Sequence, residues 1–201
     1  MSNVEAAYSS FKTVVSNTVS FSESEWAEFS QHWSYKNYDK GAFIIQPPSV
    51  ERYFYFVYSG VFRAFVINQG ADISIGFSYN GDYSGAYDSF LSQSPTDMYI
   101  QALSDAHVLR ITYQSLMTMF DKYKWVERWG RILNANILIG IGRRQVEVRS
   151  YTAEERFERL FNQSPHIFQL VPQKHLASYL GMTPETFSRM RKAIMRSEKK
   201  T

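Results

Sequence analysis

Residues 171–192 narrow most what this chain can fold into. Leu176, Ala177 and Leu180 fall on one face of a helix, and Ala177 is small where a second helix must cross closely. Gly181 ends that helix, since glycine tolerates the positive φ that a short interhelical turn requires. Thr183 offers a side-chain oxygen as N-cap of a second helix, Pro184 suits its first position, and Phe187 and Met190 point inward at i, i+3. Glu185, Ser188, Arg189 and Lys192 are left on the outer face. An ordinary helical hairpin would explain Gly181 but not a cationic outer face. A helix-turn-helix that meets nucleic acid explains both.

Charge is divided in the same sense. From Arg143 onward there are 12 Lys+Arg against 6 Asp+Glu, and before it 10 against 13. A polyanion is therefore drawn to the C-terminal portion, where counterion-releasing side chains are needed. With 201 residues, 44% of them hydrophobic, the chain can bury one good-sized core and a smaller one. The absence of cysteine excludes disulfides, thiolate zinc sites and cysteine-ligated clusters. His32, His107, His166 and His175 are scattered, so no metal or cofactor is expected. The sequence has no apolar run of about 18 residues and no basic-then-apolar leader, so no membrane association is expected and a cytoplasmic location is. There is no Ser/His/Asp or Cys/His set and no phosphate loop; Gly140-Ile141-Gly142 lies within a helical pattern. An enzyme is not expected.

Along the chain the texture changes twice. Residues 4–16 and 23–33 read as amphipathic helices, the second with a capping box from Ser22 to Glu25. From Tyr35 to Thr112 short aromatic and β-branched runs (43–45, 52–58, 61–66, 72–79, 98–103 and 107–111) alternate with Gly or Asn-Gly, the pattern of an antiparallel β sandwich or barrel. Residues 53–65 read as its central hairpin, with Ser59-Gly60 as the tight turn. Helix follows at 114–123 and again at 125–149, where no proline occurs. The apolar stripe of the longer helix, with Trp129, Ile132, Leu133 and Ile137 around Asn136, predicts pairing with its own copy; packing on its own sheet is the alternative. Thr152 and Glu155 form a capping box for a further helix with Phe157, Leu160 and Phe161 inward, and residues 162–171 read as a connection.

This order of helices, glycine-punctuated β roll, long helix and C-terminal helix-turn-helix resembles the Crp/Fnr family of bacterial transcription factors over nearly the whole chain. The likeness is most specific at residues 176–189 and at 151–157, which resemble the family's reading module and the start of its DNA-binding domain. The resemblance implies an α+β chain: a cyclic nucleotide-binding-like β roll with flanking helices (1–123), a dimerisation helix (124–149) and a winged helix-turn-helix (150–201). Its implied partners are double-stranded DNA, a second copy and RNA polymerase. In the family a Glu and an Arg four residues apart touch base edges; here they are Glu185 and Arg189, with Gln173, Lys174, Thr183, Thr186, Ser188 and Lys192 on the DNA backbone. The chemistry fits independently, because a carboxylate accepts from cytosine N4 and a guanidinium pairs with guanine O6 and N7. Pro184 stands where some members place a further base-reading arginine.

Members that bind cyclic AMP hold its ribose with a glycine–glutamate–leucine turn and its phosphate with a later arginine and small hydroxyl residue. The corresponding positions are Gly85, Ala86, Tyr87 and then Thr96, Asp97, so the acceptor and the cation are both missing. No cyclic AMP or cyclic GMP binding is expected, although the roll should persist. Tyr53, Phe54, Tyr55, Phe56, Tyr79, Tyr83 and Tyr87 are either core or the lining of a pocket for a small apolar effector. The competing function is a non-sensing relative whose helix-turn-helix serves as a protein-interaction or architectural DNA-binding module.

Overall fold

Ser2 and Ser22 open the first two helices with capping boxes: α1 (Asn3–Ser16) closes on Glu5 and α2 (Glu23–Gln31) on Glu25. These come from a computed structural model, which describes residues 2–198; Met1 and residues 199–201, the ends of the outer expected domains, lie outside the described residues. The strands are β1 (Trp33–Tyr38), β2 (Phe43–Ile45), β3 (Tyr53–Ser59), β4 (Phe62–Asn68), β5 (Ala71–Ser78), β6 (Tyr83–Ser84), β7 (Tyr99–Ala102) and β8 (Ala106–Thr112). The helix α3 (Tyr87–Ser92) lies between β6 and β7. Helices α4 (Tyr113–Lys122), α5 (Lys124–Ser150), α6 (Ala153–Gln163), α7 (Ile167–Leu170), α8 (Gln173–Leu180) and α9 (Pro184–Glu198) follow.

The strands form two sheets, in the orders β1-β8-β3-β6 and β2-β7-β4-β5. This corrects the expected central hairpin, because β3 and β4 belong to different sheets. Gly60 makes a corner between them: its φ is +95°, and a Cβ there would stand 2.5 Å from that of Ala106. Only glycine allows both the conformation and the approach. Three further departures follow from tertiary packing. The second helix stops at Gln31, since Trp33 begins β1 and is buried. Residues 87–92 form a helix, and the connection at 162–171 contains α7.

Residues up to Phe65 together with Phe77–Ile137 form one compact unit; Val66–Gly76 with the described residues from Leu138 form another. In the first unit β3 is buried on both faces. Phe54 and Phe56 join Phe11, Phe29, Trp33 and Trp129 in a large aromatic core, whereas Tyr55 and Val57 join Phe62, Ile100 and Val108 in a smaller one. The alternating Tyr-Phe-Tyr-Phe-Val run thus serves two cores through the strand's period of two. In the second unit Phe157, Phe168 and Phe187 pack together with centroids 5.2–5.8 Å apart. No strand lies among the described residues after Ser150, so the expected wing is not among them. Nor is any described helix long and apolar enough to cross a membrane.

Candidate functional site

Gly181 ends α8 with φ +70°, and the Met182 amide returns to the Ala177 carbonyl at 3.0 Å, which closes the turn. Thr183 then caps α9 by accepting from the Thr186 amide at 3.2 Å. Leu176, Ala177, Leu180 and Phe187 are buried beneath this pair of helices, and Met190 is half-buried. The opposite face carries the expected contacts. Gln173, Lys174, Thr183, Glu185, Arg189 and Lys192 are exposed, and Thr186 and Ser188 half-buried. Glu185 and Arg189 are one turn apart on the same side of α9. The backbone amide of Glu185 and the Thr183 hydroxyl hold the Glu185 carboxyl below its ordinary range, so it is an acceptor at neutral pH. A helix with these two groups forward can present an acceptor and a bidentate donor to base edges.

Two arginines hold α8 in place. Arg156 donates from Nε and Nη2 to the Leu180 carbonyl at 3.0 and 2.8 Å, and from Nη1 to the Tyr151 carbonyl at 2.7 Å. Arg144 donates to the Tyr179 carbonyl at 2.5 Å and lies 3.8 Å over the Tyr179 ring. The last carbonyls of α8, which have no partner within the helix, are thus satisfied by cations that also suit its dipole.

The second candidate region is the turn before α3. Ala86 is buried, and its amide donates to Oε2 of Glu51 at 3.4 Å. Glu51 is itself 2% exposed and also accepts from the Tyr53 amide at 3.2 Å and the Tyr55 hydroxyl at 3.4 Å. Burial pushes its carboxyl up to about 7, against the lowering effect of these donors. Thr96 is also buried. It is committed to the local turn, accepting from the Met98 amide at 3.0 Å, while Asp97 is exposed. Tyr87 donates to Asn134 Oδ1 on α5 at 2.7 Å. Beside Glu51 lies a recess of about 360 Å³ whose lining includes Tyr38, Ile44, Tyr53, Tyr55 and Arg110. Its carboxylate and guanidinium make it other than the apolar effector pocket that the aromatic run suggested. Phe54 and Phe56 are core.

Comparison with known proteins now bears on both regions. Residues 35–123 match the cyclic nucleotide-binding domain family. FixK2 from Bradyrhizobium japonicum aligns with a TM-score of 0.74 at 20% identity, covering 83% of this chain and 86% of its own. The chain has the fold of Crp/Fnr regulators. The c-di-GMP-responsive global regulator CLP of Xanthomonas campestris gives a TM-score of 0.67 at 16% identity, over 88% of this chain and 93% of its own. The Thermus thermophilus catabolite activator protein gives 0.55 at 18%, over 89% and 85%. No curated protein sequence matches the chain.

The matched span contains every position expected for the ligand turn, Gly85, Ala86, Tyr87, Thr96 and Asp97. Sequence reasoning missed Glu51, Asn134, Arg144 and Arg156. Glu51 is a single carboxylate in a loop after Pro47-Pro48, with no periodicity to mark it. Arg156 lies within residues 151–157, so its position was singled out and its role was not.

The structure takes Trp129 off the expected dimer face of α5. Trp129 is 2% exposed, within a 6.5 Å centroid distance of Phe11, Phe29, Phe54 and Tyr83, so it belongs to the core of its own unit. Ile132 and Leu133 pack partly against that core, Ile137 is half-buried, and Asn136 is exposed. The uncovered apolar residues lie further on: Leu138, Ile139, Ile141, Val146 and Val148, each at least 51% exposed.

Proposed function

We propose that the chain is a sequence-specific DNA-binding transcription regulator that acts as a homodimer and does not respond to cyclic AMP. The observation that carries this reading is α9: capped by Thr183 and anchored by buried Phe187, it leaves Glu185 and Arg189 exposed one turn apart. Excess positive charge in the same portion of the chain supports it. Leu138, Ile141, Gln145 and Val148 follow the 3–4–3 spacing of a coiled-coil seam, apolar but for Gln145, which supports pairing of α5 with its copy. The functional division is then a roll (1–123), a dimerisation helix (124–149) and a reading head (150–201), working in the cytoplasm with RNA polymerase as partner.

Cyclic nucleotide blindness is supported by what occupies the ligand turn. Ala86 supplies no ribose acceptor, Thr96 is buried in a turn, and the Ala86 amide already serves Glu51. A phosphate at the Ala86 amide would meet the Glu51 carboxyl.

The test separates base reading from phosphate contact. Arg189→Ala should lower affinity for a duplex selected from genomic DNA by roughly 1–3 kcal/mol while leaving random duplex nearly unchanged. Lys192→Ala and Lys174→Ala should weaken both alike and lower the salt slope by about one. An unchanged specific-to-random ratio for Arg189→Ala would move the helix-turn-helix to the interaction-module reading.

A further inference from the structure

In its sheet β5 pairs with β4 on one side only, so its other edge is open to a different partner. Along that strand the carbonyl of Asp72 and the amide of Ser74 point the same way, as they do for residues i and i+2 of any strand. The hydroxyl of Ser178, in the last turn of α8, donates to the Asp72 carbonyl at 3.1 Å and accepts from the Ser74 amide at 3.0 Å. One side chain thereby makes the pair of contacts that a residue of a parallel neighbouring strand would make. A hydroxyl is both donor and acceptor, so serine or threonine can do this and alanine cannot.

The surroundings make this more than an incidental contact. Val66–Gly76, the end of the β4–β5 hairpin, clusters with the helices from Leu138 onward. Ile73 and Ile75 of the hairpin line a recess of about 290 Å³ together with Val148, Tyr179 and Arg144. Arg144 and Arg156 tie the carbonyls of Tyr179 and Leu180 immediately beyond Ser178. The last turn of α8 is therefore held from one side by the hairpin, at Ser178, and by the arginines, at Tyr179 and Leu180. Gly181 and α9 follow directly, so the pose of α9 is inherited from α8.

We propose that the β4–β5 hairpin is a latch of the reading head, with Ser178 as the positioning residue. The latched arrangement is the one competent for DNA, because Glu185, Arg189 and Lys192 are exposed in it. This inference rests on the DNA-binding reading above.

The experiment uses the full chain with Ser178→Ala and Ser178→Thr, and measures two things. Hydrogen exchange at the Ser74 amide, followed by NMR, should speed up roughly tenfold in Ser178→Ala and return toward the original rate in Ser178→Thr. Affinity for the selected duplex should fall roughly three- to tenfold in Ser178→Ala, with random duplex nearly unchanged and Ser178→Thr close to the original protein. A purely structural role would instead weaken both duplexes in parallel, and would overturn positioning. Unchanged Ser74 exchange in Ser178→Ala overturns the latch itself. If the unsubstituted protein binds no duplex, the DNA reading fails and positioning with it, whereas the exchange result still decides the latch.

Discussion

Replacing Glu51 by glutamine should remove from the first unit the part of its pH dependence that this carboxyl contributes. The carboxyl is 2% exposed and its pKa is raised from the usual 4.5 to about 7, chiefly by burial. Between those values the folded state holds a proton that the unfolded chain has released, so stability falls as pH rises through this window. At about 1.4 kcal/mol per unit, the loss between pH 4.5 and pH 8 approaches roughly 3 kcal/mol. Glutamine keeps an acceptor for Ala86 and Tyr53 but cannot ionise. Its NH2 group adds an offset of about 1–3 kcal/mol wherever it finds no partner, and that offset does not vary with pH. The quantity to measure is therefore the stability difference between Glu51→Gln and the natural chain, followed from about pH 4.5 to 8. All four tryptophans, Trp26, Trp33, Trp125 and Trp129, lie in the first unit, so tryptophan-detected urea unfolding reports on the unit that contains Glu51. The difference should move in favour of glutamine by roughly 3 kcal/mol across that range. A difference that stays constant with pH would mean that the carboxyl titrates normally, and the buried-carboxyl account of the ligand turn would be wrong.

Three other outcomes are expected. Sedimentation at micromolar concentration should give a species of twice 23.4 kDa, and only the 23.4 kDa species would refute pairing through α5. Gly60→Ala should destabilise the first unit by at least about 2 kcal/mol in the same unfolding assay, because it combines a φ of +95° with a Cβ 2.6 Å from the Asp105 carbonyl; an unchanged midpoint would show that the corner relaxes freely. Titration calorimetry with cyclic AMP should show no saturable heat, whereas saturation in the micromolar range would refute the reading of positions 85–87 and 96–97.

What was legible in the sequence is what local chemistry decides. Gly181, Thr183 and Pro184 each act within one turn of themselves, and with the apolar spacing of Leu176, Leu180, Phe187 and Met190 they mark the helix-turn-helix locally. The capping boxes at Ser22 and Thr152 were found in the same way. Ser59-Gly60 was legible as a turn but not as a corner between sheets, because the residue that demands glycine there, Ala106, is distant in sequence. Trp129 shows the same limit on a helix: periodicity says that a face is covered without saying by what. Its partners come from α1, α2 and β3. Glu51 and Ala86 lie 35 residues apart, and Ser178 and Ser74 104 apart, so no local pattern announces either pair.

The Glu51 carboxyl also allows two causes of the proposed cyclic nucleotide blindness to be told apart. A phosphate placed at the Ala86 amide would sit within about 4 Å of an ionised Glu51, and two unit charges at that distance repel by roughly 4 kcal/mol at an effective dielectric near 20. Because a carboxyl that titrates near 7 can instead take up a proton, at a cost of about 1.4 kcal/mol at pH 8, the carboxylate alone would weaken binding there about tenfold. Below its raised pKa the carboxyl becomes neutral and the repulsion disappears, although the missing ribose acceptor at Ala86 and the missing cation at Thr96 remain. Cyclic AMP heats that stay absent at pH 5.5 as well as at pH 8 would therefore place the cause in Ala86 and Thr96. Binding that emerges only at pH 5.5, or in Glu51→Gln at pH 8, would place it in the carboxylate that accepts from the Ala86 amide.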